Sequence, residues 1–176
     1  FNIRGLDVVH TPLVLAFAIV PAKGDPKLFI DMQKLGTEEH AYLNQLCDLY
    51  EPAQFDEHLN MLGEYNKKVL LDPSLVAMKL ATTLEDAGAE IIKGVDPCRL
   101  PRARKNKTER KGAIEAHKRD GAAMVSFRAW LDSQKPDDLD EIKIATALEI
   151  ARIETGERLG VPLREISFDT ISGAGP

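Results

Sequence analysis

The chain has 176 residues, of which 44% are hydrophobic and 29% charged, with a formal net charge of −5; this composition excludes intrinsic disorder and suffices for one full core, or one domain and part of another. The longest apolar run, residues 13–20, is far short of the roughly 20 residues of a membrane helix; it reads as a buried strand, and no membrane is expected as a partner. The only cysteines, Cys47 and Cys98, stand far apart and outside any Cys-x-x-Cys pair, which argues against a disulfide scaffold or zinc module and for a cytoplasmic location.

Phe1-Asn2-Ile3-Arg4-Gly5 opens the chain without an initiator Met and with strand character. Residues 13–20 and 28–31 are predicted strands, and the Pro/Gly-rich segment 21–26 between them predicts a hairpin. Thr37-Glu38-Glu39 opens a helix with Leu43, Leu46 and Cys47 on one face, and Phe55, Leu59 and Leu62 repeat that spacing in a second. Residues 68–72 read as a strand, Pro73-Ser74 as the start of a helix carrying Val76, Leu80 and Leu84, Gly88 as its end, and residues 90–92 as another strand. This alternation predicts an α/β domain over residues 1–96, a sheet layered with helices. Residues 97–105, rich in Pro and Arg, read as a linker. Beyond it, Asn106 with Glu109 forms a capping pattern for a long helix with Ala113, Ile114, Met124, Phe127, Trp130 and Leu131 on one face. Pro136 breaks it, Asp138 with Glu141 caps a second helix with a stripe of Ile142, Ala145, Leu148 and Ile153, and Gly156 and Gly160 permit a turn into a final strand. That strand, with Ile166, Phe168 and Ile171, empties into Gly173-Ala174-Gly175-Pro176, so residues 106–176 read as the start of a domain and the chain as an internal piece of a larger protein.

Chemistry-bearing motifs are sparse. His10, His40, His58 and His117 have no neighbours at metal-ligand spacing, and His117, between Glu115 and Asp120, reads as a helix-surface residue. Asp31 and Asp72 end strands and read as turn formers. Ser167 and Ser172 lack a partner motif for a nucleophile, and Gly173-x-Gly175 is no phosphate loop. Neither catalytic nor metal-ligating residues are therefore assigned, and the substrate-binding residues stay open. Eight bases from Arg102 to Arg119 face only Glu109 and Glu115. They read as a linker running into a solvated helix face, because no aromatic residues interleave them, with nucleic-acid binding as the weaker rival.

Several segments, in order, resemble the Xaa-Pro aminopeptidases of the three-domain, pita-bread metallopeptidase type. Asn2-Ile3-Arg4-Gly5 with Asp7 and Pro12 is similar to the signature opening the second domain. Lys105-Asn106-Lys107-Thr108-Glu109, Ala116-His117-Lys118-Arg119-Asp120-Gly121 and Trp130-Leu131 resemble the first helix of the catalytic domain. Residues 167–176 resemble the strand that leads toward a catalytic histidine. The resemblance implies a creatinase-like middle domain, a mixed sheet with flanking helices, followed by the helical hairpin and strand that begin a pita-bread catalytic domain. It implies a hydrolase acting on peptides with proline second, using two metal ions, usually manganese, held by two Asp, one His and two Glu, all expected beyond Pro176. The chain alone is accordingly expected to be inactive, with no cofactor of its own. The large apolar groups of residues 106–171 suggest a homodimer, and a non-catalytic interaction module is the alternative reading.

Overall fold

The apolar run at residues 13–20 forms a strand only in its second half. A computed structural model describes residues 1–173, with β1 (Ala16–Ile19) antiparallel to β2 (Lys27–Ile30) and Phe17 opposite Phe29. Gly24, at φ +98, turns the connection in a conformation that glycine adopts without strain. β2 is central in the order β1-β2-β3, which makes β1 an edge. The expectation of a buried strand is thereby corrected: Leu13, Leu15, Phe17 and Val20 are all at least half exposed.

β2 is covered on both faces because alternate side chains leave a strand in opposite directions. Leu28 and Ile30 join Leu43 and Cys47 beside α1 (Thr37–Leu43), while Phe29 joins Phe55 and Leu59 of α2 (Phe55–Glu64) and Leu84 of α3 (Met78–Asp86). β3 (Asp48–Tyr50), not expected from the sequence, runs parallel to β2 with Leu28 opposite Leu49. A second, two-stranded sheet pairs β4 (Lys68–Leu71) in parallel with β5 (Glu90–Lys93), and Val69, Leu71 and Ile91 pack on the Phe29 cluster. The result is a mixed α/β fold. Among the described residues its five strands all fall within the first of two compact units, Phe1–Ala103 and Arg104–Pro176, and the Pro/Arg-rich stretch contains the short α4 (Arg99–Ala103).

α3 begins five residues later than its sequence suggests, because Asp72 organises residues 73–75 as a turn. One carboxylate oxygen accepts from Ser74 N at 3.0 Å and from the Ser74 hydroxyl at 2.6 Å, and the other from Asp96 N at 3.0 Å. The Ser74 hydroxyl first, then these N–H groups, bring the Asp72 carboxyl down to about 2. A folded-state value below the ordinary 3.8 means that its contribution to stability is present above about pH 4 and lost as pH falls through about 2. Asp72→Asn is expected to flatten the acid limb of stability in that window, read from urea midpoints at successive pH values.

In the second unit, α5 (Lys107–Asp132) starts at the predicted cap: Asn106 Oδ1 accepts from Glu109 N at 2.9 Å and Glu109 Oε2 from Asn106 N at 2.7 Å. α6 (Glu141–Arg158) is capped by Asp140, which accepts from Lys143 N at 2.7 Å, rather than by Asp138. The reason is local: Asp138 closes a one-turn 3-10 helix, Pro136–Asp138, and Leu139 is extended, so helical geometry can start only after Asp140. The seam buries Phe127, Leu148 and Ala151 with Met124, Trp130, Leu131, Ile144 and Ala147 around them. Ile114 and Ile142, expected on the buried faces, are 55% and 79% exposed, and Ile153 also stands outside the seam. The expected closing strand does not form among the described residues; residues 161–173 carry no strand, and Phe168 and Ile171 are exposed.

Candidate functional site

The second unit holds a cleft of about 490 Å³ walled by α5, α6 and the chain that follows Gly160. Small residues make the space: Ala116 and Ala123 from α5 and Gly156 from α6 line it. A Cβ on Gly156 would stand 2.8 Å from Val161 O and 2.9 Å from Leu163 N, so the absence of a side chain lets the returning chain lie close on α6. Gly160, at φ +68, makes that return. Thr155, 3% exposed, lies in the wall, while His117, Arg119, Arg164, Glu165 and Ser167 contribute polar lining.

One ion pair crosses the two helices here. Arg152 Nε donates to Asp120 Oδ1 at 2.7 Å, with the arginine side chain 23% and the aspartate 48% exposed. At that exposure it is worth ~0.2–1 kcal/mol, too little to hold the hairpin by itself. A double-mutant cycle with Asp120→Asn and Arg152→Gln is expected to give a coupling within that range. Neither partner of this pair, 32 positions apart, stood out as a pair in the sequence; their one signal is that the helices of a hairpin return antiparallel.

The residues weighed for chemistry are mostly engaged in structure. His117 Nδ1 lies 2.8 Å from Ala113 O, a contact in which a proton on Nδ1 is donated to the carbonyl and ties the ring to its own helix. Glu115 pairs with Lys118 at 3.0 Å, and the lysine hydrogen bond holds its carboxyl below the usual range. His40 Nδ1 is 2.8 Å from Asn44 Nδ2, and His58 sets its ring edge-on to Tyr50 and Phe29. His10 sits at φ 58 in the loop before β1. Asp31 accepts from Gln33 N at 3.0 Å and starts a 3-10 turn. Cys47 is buried, which pushes its thiol up, and Cys98 is exposed; both are free. Ser167 lines the cleft and Ser172 follows it in the irregular segment after α6. Of the Gly173-x-Gly175 pair, only Gly173 lies within the described residues.

Among the described residues, no group of three or more His, Cys, Asp and Glu is placed to hold a metal ion. The two-metal centre implied by resemblance finds no ligand set there, and no chemical step is routed through one. Nor is any helix among them long and apolar enough to cross a membrane.

Residues 1–109 match the family model described as the creatinase/prolidase N-terminal domain. The chain belongs to this family. Curated relatives extend the likeness past that domain. The probable Xaa-Pro aminopeptidase P of Neurospora crassa is 34% identical over 194 aligned residues covering 100% of this chain and 26% of its own length, and that of Sordaria macrospora is 34% identical over 100% and 30%. Xaa-Pro aminopeptidase 1 of Dictyostelium discoideum is 28% identical over 97% of this chain and 27% of its own. The chain thus spans about a quarter to under a third of the length of these relatives. In fold, it matches the crystal structure of an X-prolyl aminopeptidase from Caenorhabditis elegans, described as a cytosolic enzyme with a di-nuclear active site, with a TM-score of 0.79 at 23% identity over 97% of this chain and 28% of that one. The expected mixed α/β, creatinase-like fold is therefore the fold this family member has.

Proposed function

We propose that this chain is the second domain and the leading helical pair of the catalytic domain of a metal-dependent, cytoplasmic Xaa-Pro aminopeptidase. The supporting observation is likeness to Xaa-Pro aminopeptidases along the whole chain, in order, across the boundary between its two compact units. The reaction of the whole protein is hydrolysis of the peptide bond before a second-position proline. Water adds to the carbonyl carbon of the first residue, the C–N bond breaks, and the proline nitrogen leaves as a protonated amine. That bond is a tertiary amide without N–H, and a pair of metal ions, for which Mn²⁺ is the candidate, would supply hydroxide and polarise the carbonyl.

This chain's part is structural. In this reading the first unit carries no catalytic group, and α5 and α6, held by the Phe127, Leu148 and Ala151 seam, begin the catalytic domain. The longer protein with Mn²⁺ is expected to release the first residue from an X-Pro-X peptide and to leave its X-Ala-X counterpart intact, whereas this chain alone with Mn²⁺ is expected to release nothing. Turnover of both peptides by the longer protein would overturn the substrate assignment, and release by the isolated chain would overturn the placement of the metal ligands outside it. The rival reading of the basic stretch predicts salt-dependent retention on nucleic acid.

A further inference from the structure

The cleft of the second unit is lined by an excess of cations. Arg119, Arg152 and Arg164 line it with the imidazole of His117, against the carboxylates of Asp120 and Glu165. Asp120 is already engaged, and it takes only the Nε–H of Arg152, which leaves the terminal nitrogens of that guanidinium for another acceptor. Arg119 and Arg164 form no ion pair among the described residues. His117 Nδ1 is held by Ala113 O, so Nε2 is the ring nitrogen left over. A second observation comes from the wall itself. Thr155 is 3% exposed, and its hydroxyl has no hydrogen-bond partner among the described residues, whereas buried hydroxyls are ordinarily bonded. Arg152, Thr155 and Gly156 stand three and four positions apart on α6, so all three share the face that the cleft opens on.

We infer that this cleft binds the phosphate monoester of a small non-aromatic alcohol, of the size of a hexose phosphate. Three guanidiniums suit a phosphate better than a carboxylate. One arginine satisfies both oxygens of a carboxylate, whereas a phosphate monoester offers three terminal oxygens and about two negative charges. The Thr155 hydroxyl donates to one of those oxygens, which removes the cost of a buried polar group left unpaired. At about 490 Å³ the cleft falls within the ~300–1,000 Å³ of small-molecule sites, and a bare phosphate would leave most of it empty. No aromatic side chain lines it, so nothing is placed to stack on a nucleobase. Ala116, Ala123 and Leu163 instead offer an aliphatic wall to the body of the ester, and Ser167 offers it a hydroxyl.

Calorimetric titration of the 176-residue chain with glucose 6-phosphate is expected to show saturable binding at one site, about tenfold or more tighter than inorganic phosphate or glucose, since each of these makes only part of the contacts. Arg164→Gln and Thr155→Val are each expected to weaken glucose 6-phosphate about tenfold, the loss of a hydrogen bond to a charged group. Arg164 is exposed, so its variant carries the test even if Thr155→Val lowers the thermal midpoint. Arg128→Gln, exposed on α5 and outside the cleft, is expected to bind as the unsubstituted chain does. Absence of saturable binding, equal affinity for inorganic phosphate, or an equal loss in Arg128→Gln and Arg164→Gln overturns the inference. None of these readouts depends on peptidase activity, so failure here leaves the proposed function standing.

Discussion

Phe29→Ala is expected to destabilise the first unit by ~3–5 kcal/mol, the range for removing a large aromatic side chain from a core that cannot collapse around the gap. Phe29 is fully buried. Its ring stacks on Tyr50 at 5.4 Å and meets Phe55 edge-on at 4.9 Å and His58 at 5.1 Å, contacts that add to burial alone. It also sits on the central strand, so the cavity would open between β2, α2 and α3 at once. The measurement is the urea midpoint and slope of the first unit's transition. Phe17→Ala, on the edge strand and half exposed, should cost clearly less.

Gly63→Ala is expected to destabilise by ~1–3 kcal/mol, the cost of forcing atoms into a packed contact, although Gly→Ala inside a helix ordinarily gains up to ~1 kcal/mol. The sign reverses because a Cβ at Gly63 would overlap the Cβ and carbonyl oxygen of Ala87, just beyond the end of α3. Backbone atoms cannot rotate aside as the tip of a long side chain would, so α2 and α3 would have to separate. Gly112 and Gly121 in α5 provide the contrast, since nothing lies within 4 Å of a Cβ built there; alanine at either should raise stability. Thermal midpoints of the three single variants would display both signs.

Features with a local physical cause were legible in the sequence. The Asn106–Glu109 cap, the turn at Gly24, the end of α3 near Gly88 and the spacing of Phe55 and Leu59 each depend on neighbours a few residues away, and all stand in the structure. β3 escaped notice because its three residues are strand only by virtue of pairing with β2, and nothing in Asp48-Leu49-Tyr50 announces a distant partner. The reverse error arose at residues 166–171, whose β-forming side chains have no ladder among the described residues; a strand alone leaves its N–H and C=O groups unpaired. In α6, apolar spacing placed Ile142 and Ile153 in the seam because several faces of that helix are apolar, and only packing chose the one through Leu148 and Ala151. The cleft was illegible for the same reason. It depends on Gly156, which read as a turn former and instead lies inside α6, and on a contact between Asp120 and Arg152 that only the returning helix creates.

The difference in connectivity between the two units also bears on how the chain reaches its structure. α5 and α6 meet across the connector of residues 133–140, so their seam forms after a short loop closes. The parallel pairs β2–β3 and β4–β5 must each wait for an intervening helix to be placed. During synthesis, the slower unit leaves the ribosome first. Its uncharged segment at residues 13–20 is then exposed until β2 pairs with it and the helices of that unit are placed, which makes that segment the place where a chaperone would have most reason to bind.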